Sequence, residues 1–191
     1  AHLDLLLKNK IRLSLNYLID EFVLDPEIEL NKEHGKAFSF RASCNLSSNL
    51  KQIINIYVSH VYVGTPTFRH GVGTNNFVQK GKPLGWENGS DGKESSLGLV
   101  LLLDDDLILD FTLGKITSGA ESILKQPYLT YSDYLKGEFP SGRISNSNYI
   151  DMEFLYDMNR NFSFGLEGSL KETFDGKRLF LLFFSIAFMV S

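Results

Sequence analysis

The chain has 191 residues, and its 19 Lys and Arg against 23 Asp and Glu leave a formal charge of -4. That balance excludes the basic face by which proteins hold nucleic acid. A single cysteine, Cys44, excludes an internal disulfide, and 15 Phe with 8 Tyr suit either the interface girdles of a membrane barrel or a soluble β protein.

The first segment, Ala1–Lys10, has no basic stretch followed by an apolar one, so it does not read as a secretory leader. It reads instead as a strand, Leu3–Leu7, and a turn, Lys8–Lys10. From there period-two alternation recurs along the whole length. Ile11, Leu13, Leu15, Tyr17 and Ile19 share one face, opposite Arg12, Ser14, Asn16 and Asp20, with Leu18 breaking the pattern. Phe38, Phe40, Ala42, Cys44 and Leu46 oppose Ser39, Arg41, Ser43 and Asn45. Ile54, Ile56 and Val58 oppose Asn55, Tyr57 and Ser59. The next two runs, Ser96–Leu103 and Leu107–Gly114, flank Asp104–Asp106. Ile150, Met152, Phe154 and Tyr156 oppose Asp151, Glu153 and Asp157, and Phe162, Phe164 and Leu166 oppose Ser163, Gly165 and Glu167. The last strand is Arg178–Val190; its apolar run from Leu179 is about half the ~20 residues of a helical membrane span.

Nine strands are thus expected, and several reach the ~9–11 residues that a tilted strand needs to cross a bilayer. A polar face holding Arg41, Asp110, Asp151, Glu153 and Glu167 would be costly in a dry core. The connections alternate between short polar turns and long loops at 20–35, 64–94 and 118–147, and all the long ones fall at one end. That asymmetry is how an outer-membrane barrel is built. The expected fold is therefore all-β: an antiparallel transmembrane β-barrel, with residues 1–191 forming a single barrel segment. A soluble β-sandwich is the alternative. Nine is odd where bacterial single-chain barrels are even, so the segment is expected to be the C-terminal part of a larger barrel.

The stretch Phe68 to Gly92, FRHGVGTNNFVQKGKPLGWENGSDG, places a G-x-PLG…G-x-D type signature just before a strand. In this it resembles the Wzi-type capsule-assembly family of outer-membrane proteins. Tyr17–Phe22, YLIDEF, is similar to a strand of that family ending in an acidic turn. The resemblance implies an eighteen-stranded barrel of which nine strands form the C-terminal half. It also implies a lectin-like role, holding capsular or other surface polysaccharide at the outer membrane of a Gram-negative bacterium. The expected partners are outer-membrane lipid, surface polysaccharide, the remaining half of the barrel and other envelope proteins.

Sugars present C–H faces that stack on rings, and hydroxyls that need forked donors and acceptors; acidic sugars add a demand for Lys and Arg. The loop 64–94 meets those demands with Arg69, His70, Phe77, Lys80, Lys82, Trp86 and Asp91. The loop 118–147 adds Tyr131 and Arg143. These nine are the candidate ligand-binding residues, although inward packing of the loops would explain each of them equally well. Glu87 to Gly92 is acidic enough to suggest calcium, but its spacing is not that of an EF-hand and a solvated turn is expected. No nucleophile elbow of the G-x-S-x-G type and no phosphate-cradling GxxxxGK[ST] is present. His60 and Ser59, as sequence neighbours on a strand, must face opposite ways. A non-enzymatic barrel without cofactor or metal is expected, and a porin or saccharide-export channel is the second reading.

Overall fold

The computed structural model describes residues 1–21, 35–46, 52–69, 77–103, 106–123, 138–159, 162–173 and 176–188, and all structural statements concern these. Eleven strands and no helix occur among them: β1 (His2–Leu7), β2 (Ile11–Glu21), β3 (Gly35–Asn45), β4 (Gln52–Val63), β5 (Val78–Gln79), β6 (Lys82–Pro83), β7 (Gly92–Leu103), β8 (Leu107–Ser118), β9 (Ser145–Asn159), β10 (Phe162–Thr173) and β11 (Arg178–Phe188). Nine of them form one antiparallel sheet in the order β1-β2-β3-β4-β7-β8-β9-β10-β11, a meander in which each long strand pairs with the next. The strands extend further into the expected loops than alternation indicated, and β5 with β6 forms a small hairpin inside the loop before β7. Among the described residues neither β1 nor β11 has a second neighbour, so the sheet is open at both edges.

Why these segments pair in this register follows from their two faces. A slip by one residue would exchange every side chain between faces. One cross-strand row runs Leu5, Leu13, Ala42, Val58, Leu97, Leu113, Ile150, Leu170 and Phe180, apolar on all nine strands. The row two residues nearer the short turns carries Leu7, Ile11, Cys44, Ile56, Leu99, Phe111 and Met152. The opposite face is polar and holds Arg12, Arg41, Asp110, Asp151, Glu153 and Glu167, as the alternation required. On β11 both faces are apolar.

The two ends of the sheet differ. Turns at 8–10 and the β3–β4, β7–β8 and β9–β10 connections lie at one end. The β2–β3, β4–β7 and β8–β9 connections lie at the other, joined there by the shorter β10–β11 link. The first turn closes through Lys10 N–H donating to Leu7 O at 3.1 Å, with Lys8 and Asn9 both at positive φ. Asn tolerates this left-handed region better than most residues.

Burial is inverted relative to a water-soluble sheet. The buried apolar residues Ala37, Tyr57, Val63, Ile116 and Ile123 are not on the apolar face. The first four lie on the polar face, covered from its long-loop end, and Ile123 belongs to the loop after β8. The apolar face itself is uncovered: Leu97 is 42% exposed, Ile150 43% and Phe184 67%.

Candidate functional site

The long-loop end is organised by one carboxylate. Asp91, at φ +59° just before β7, is fully buried. Its Oδ1 accepts from Thr65 Oγ1 at 2.9 Å and from Ser141 N–H at 2.8 Å. Its Oδ2 accepts from Ser141 Oγ at 2.6 Å and from Glu121 N–H at 3.0 Å. One side chain thereby ties the segment after β4, the segment after β8 and the segment before β9. Gly119 lies against it, and a Cβ there would collide with the carboxylate. Beside it, Ser90 Oγ accepts from Ile123 N–H at 3.0 Å, and Ser122 Oγ donates to Asn88 O at 3.1 Å. The expected solvated turn at Glu87 to Gly92 is in fact the centre of loop packing. Among the described residues no cluster of His, Cys, Asp and Glu could hold a metal ion.

Arg69 is also buried, and its Nη1 donates to Glu121 O at 2.6 Å. Trp86 is half-buried; its Nε1–H donates to Glu94 Oε2 at 2.8 Å, and its ring lies over Gly92, where a Cβ would stand 2.9 Å away. Tyr149 OH donates to the other oxygen, Glu94 Oε1, at 2.5 Å. Thus Arg69, Trp86 and Asp91 are held by intramolecular bonds. Phe77, Lys80 and Lys82 are exposed on and beside the β5–β6 hairpin, which turns through Lys80 at φ 50° and Gly81 at φ 75°. Phe77 stacks on Phe68 with ring centroids 5.3 Å apart. Arg143 is exposed near the start of β9. His70 and Tyr131 lie outside the described residues, and so does most of loop 20–35. The seven candidates among the described residues therefore divide into a buried or half-buried set, Arg69, Trp86 and Asp91, that shapes the loop and an exposed set, Phe77, Lys80, Lys82 and Arg143, that solvent and ligands can reach.

Beneath the loop, the polar face carries two cavities on either side of the Trp86–Glu94 pair. One of about 280 Å³ is lined by Leu18, Ala37, Val61, Val63, Phe68 and Trp86 among others. The other, of about 230 Å³, is lined by Glu87, Asn88, Glu94, Tyr149, Asp151 and Lys171 among others. Further down, Tyr57 lies across Gly98 and Tyr149 across Gly114, so that a Cβ on either glycine would strike the ring. Tyr57 OH hydrogen-bonds Thr112 Oγ1 at 2.6 Å, and the Arg41 guanidinium sits 3.7 Å above the Tyr57 ring centroid. Glycines under rings let the neighbouring strand accept a flat aromatic side chain and are a device for coiling a sheet.

Ser59 and His60 do face opposite ways. Ser59 bonds Ser96 at 2.6 Å on the polar face, whereas His60 Nδ1 meets Ser95 Oγ at 2.8 Å on the apolar face. Sequence spacing could not show the His60–Ser95 pair, because it joins β4 to β7 across the sheet. A hydrolytic triad would also need an acid on the ring's other nitrogen and donors for an oxyanion. Among the described residues no carboxylate bonds His60. Its other neighbour is the Phe38 ring, 5.7 Å away, which itself stacks on Tyr62 at 5.2 Å.

No protein-family model, curated protein or solved structure matches the chain.

Proposed function

We propose that the chain is part of the wall of an outer-membrane β-barrel, and that its long-loop end holds surface polysaccharide without chemical turnover. The carrying observation is the uncovered apolar face, continuous across nine strands and backed by a polar face with covered loops. In water such a face would be a severe aggregation liability. In a bilayer it is the lipid contact, and the polar face lines the lumen. The aromatic cluster Phe38, Tyr62 and Phe139 at the long-loop end suits the headgroup level.

On this reading the short turns face the periplasm and the loops face outward. Phe77, Lys80, Lys82 and Arg143 are exposed there, a ring and three cations suited to sugar faces and carboxylates, alongside the exposed carboxylates Glu87 and Glu138. The buried Asp91 network supplies the rigidity that keeps them in place. The resemblance of Phe68 to Gly92 to capsule-assembly proteins is in keeping with this reading.

Replacing Val78–Pro83 by a short glycine-serine linker tests the loop assignment. The chain should still assemble in the membrane, while surface polysaccharide is shed into the medium. Full retention by that variant would refute the role of the hairpin. A channel is the second reading, favoured by the charged polar face; ion conductance of the protein in a planar bilayer would support it.

A further inference from the structure

The short-turn end of the polar face carries a third and larger cleft, of about 540 Å³. It lies at the far end of the sheet from the loops that the proposed function uses. Three cations line it: Lys10 from the first turn, Arg12 from β2 and Arg41 from β3. Asp4 offsets one of them, accepting from Arg12 Nη2 at 2.6 Å and from its Nε at 3.0 Å. Arg41 is held over Tyr57 by its ring contact and stays exposed. Asp4 stands beside the cleft, but no carboxylate is on its lining. Further along the sheet Asp110, Glu153 and Glu167 form one cross-strand row on β8, β9 and β10. The lining of this cleft thus carries cations without a carboxylate among them.

The other lining groups are amides and hydroxyls. Asn45 and Asn55 stand directly opposite each other on β3 and β4, and Asn9 comes from the turn. Ser14 pairs with Arg41, and Ser43 with Arg12, in the β2–β3 register. An Asn side chain carries both donors and an acceptor, and a Ser a hydroxyl of either role; Ser14 already donates its hydroxyl to Asp4 at 3.0 Å and keeps its acceptor side. Leu6 is the one apolar residue on the lining, so an apolar ligand has little to bury against. Cations for acidic groups, interleaved with amides for hydroxyls, describe a particular ligand chemistry.

We infer that this cleft binds a saccharide chain bearing carboxylates. The inference rests on the proposed function, deepens it by naming an acidic glycan, and adds a second contact on the opposite rim. Under that reading the cleft opens toward the periplasm, where a chain would be met before it reaches the outer loops.

The test is calorimetric titration of the full chain in detergent with a short oligoglucuronate, a neutral glucose oligomer of equal length, and inorganic phosphate. The oligoglucuronate should bind, more weakly as salt rises. Lys10→Gln and Arg41→Gln should each weaken it about tenfold, the loss of one charge-assisted contact. The neutral oligomer should bind the parent no better than oligoglucuronate binds the Lys10→Gln/Arg41→Gln double variant. Arg41→Gln also removes the contact on Tyr57, so Lys10→Gln, on an exposed turn, carries the test if the former fails to fold. No binding, equal binding of the neutral oligomer, or full binding by Lys10→Gln would overturn the inference. Phosphate competing as strongly as oligoglucuronate would make the cleft a plain anion site and overturn it too. Polysaccharide retention through the β5–β6 hairpin is measured separately, so that reading survives if only the cleft fails.

Discussion

At the scale of the residue, Asp91 has the largest consequences. A buried carboxylate is tolerated only when its lone pairs are matched, and here four donors from three segments match them. Asp91→Ala would strand the Ser141 amide and leave the Glu121 amide only Ser141 Oγ, at 3.1 Å, as acceptor. Unsatisfied buried groups cost about 1–3 kcal/mol each, so the loop assembly should open while the sheet persists. Limited proteolysis should then cut within 119–123 and 138–143 in the variant at protease levels that leave those segments of the parent intact, with unchanged far-UV circular dichroism. Gly119→Ala should give the same cleavage by a different route, since the added methyl displaces the carboxylate while keeping its charge. A variant of either kind as protease-resistant as the parent would show that the network is incidental to loop order.

At the scale of the element, the strands were legible and the loop was not, for one physical reason. A strand writes its environment into neighbours two residues apart, so alternation exposed both faces of β2, β3 and β8 and even the polar placement of Arg41 and Glu153. The exception at Leu18 also has an explanation, since it faces the apolar cavity beneath Phe68 and Trp86. Asp91 has no such local record. Its donors lie 26, 30 and 50 residues away, and an Asp between Ser and Gly looks like any solvated turn. The same holds for Trp86, whose partner Glu94 sits on the next strand and whose ring needs Gly92 beneath it.

The two faces make opposite predictions within one strand. Ile150 and Glu153 both belong to β9 and point to opposite sides. Ile150→Arg puts a charge on the apolar face and should cost about 2–4 kcal/mol if that face meets the bilayer midplane. Glu153→Arg should be neutral or stabilising, because it breaks a row of like charges with Asp110 and Glu167. Urea titration of the protein folded into lipid vesicles measures both. Equal costs would argue against a lipid-facing surface.

At the scale of the whole molecule, strand parity constrains how the sheet can close. Each of the nine strands runs antiparallel to its neighbours, so β1 and β11 point the same way. Joining these edges within one copy would make a parallel seam. Two copies related by an axis along the barrel would meet at two parallel seams. Flipping one copy would restore antiparallel edges, but it would put long loops on both sides of a membrane. Antiparallel closure around a sidedness-preserving barrel therefore requires an odd number of further strands. A cross-link decides whether the described sheet closes on itself. Strands in a closed barrel are tilted and staggered, so a cross-strand row does not return to its own start, and Leu5 would not meet Phe180 on the same row. The cross-link must therefore scan the register: with Cys44→Ser as background, single cysteines along His2–Leu7 are combined with single cysteines along Arg178–Phe188. In a self-closed barrel any pair that faces across the seam would have Cα atoms within the roughly 4.4–6.8 Å that a disulfide spans. Every pair should instead stay reduced within a monomer under mild oxidant, because further strands separate the two edges. Rapid intramolecular oxidation of any pair would establish a parallel seam and remove the need for any further strand.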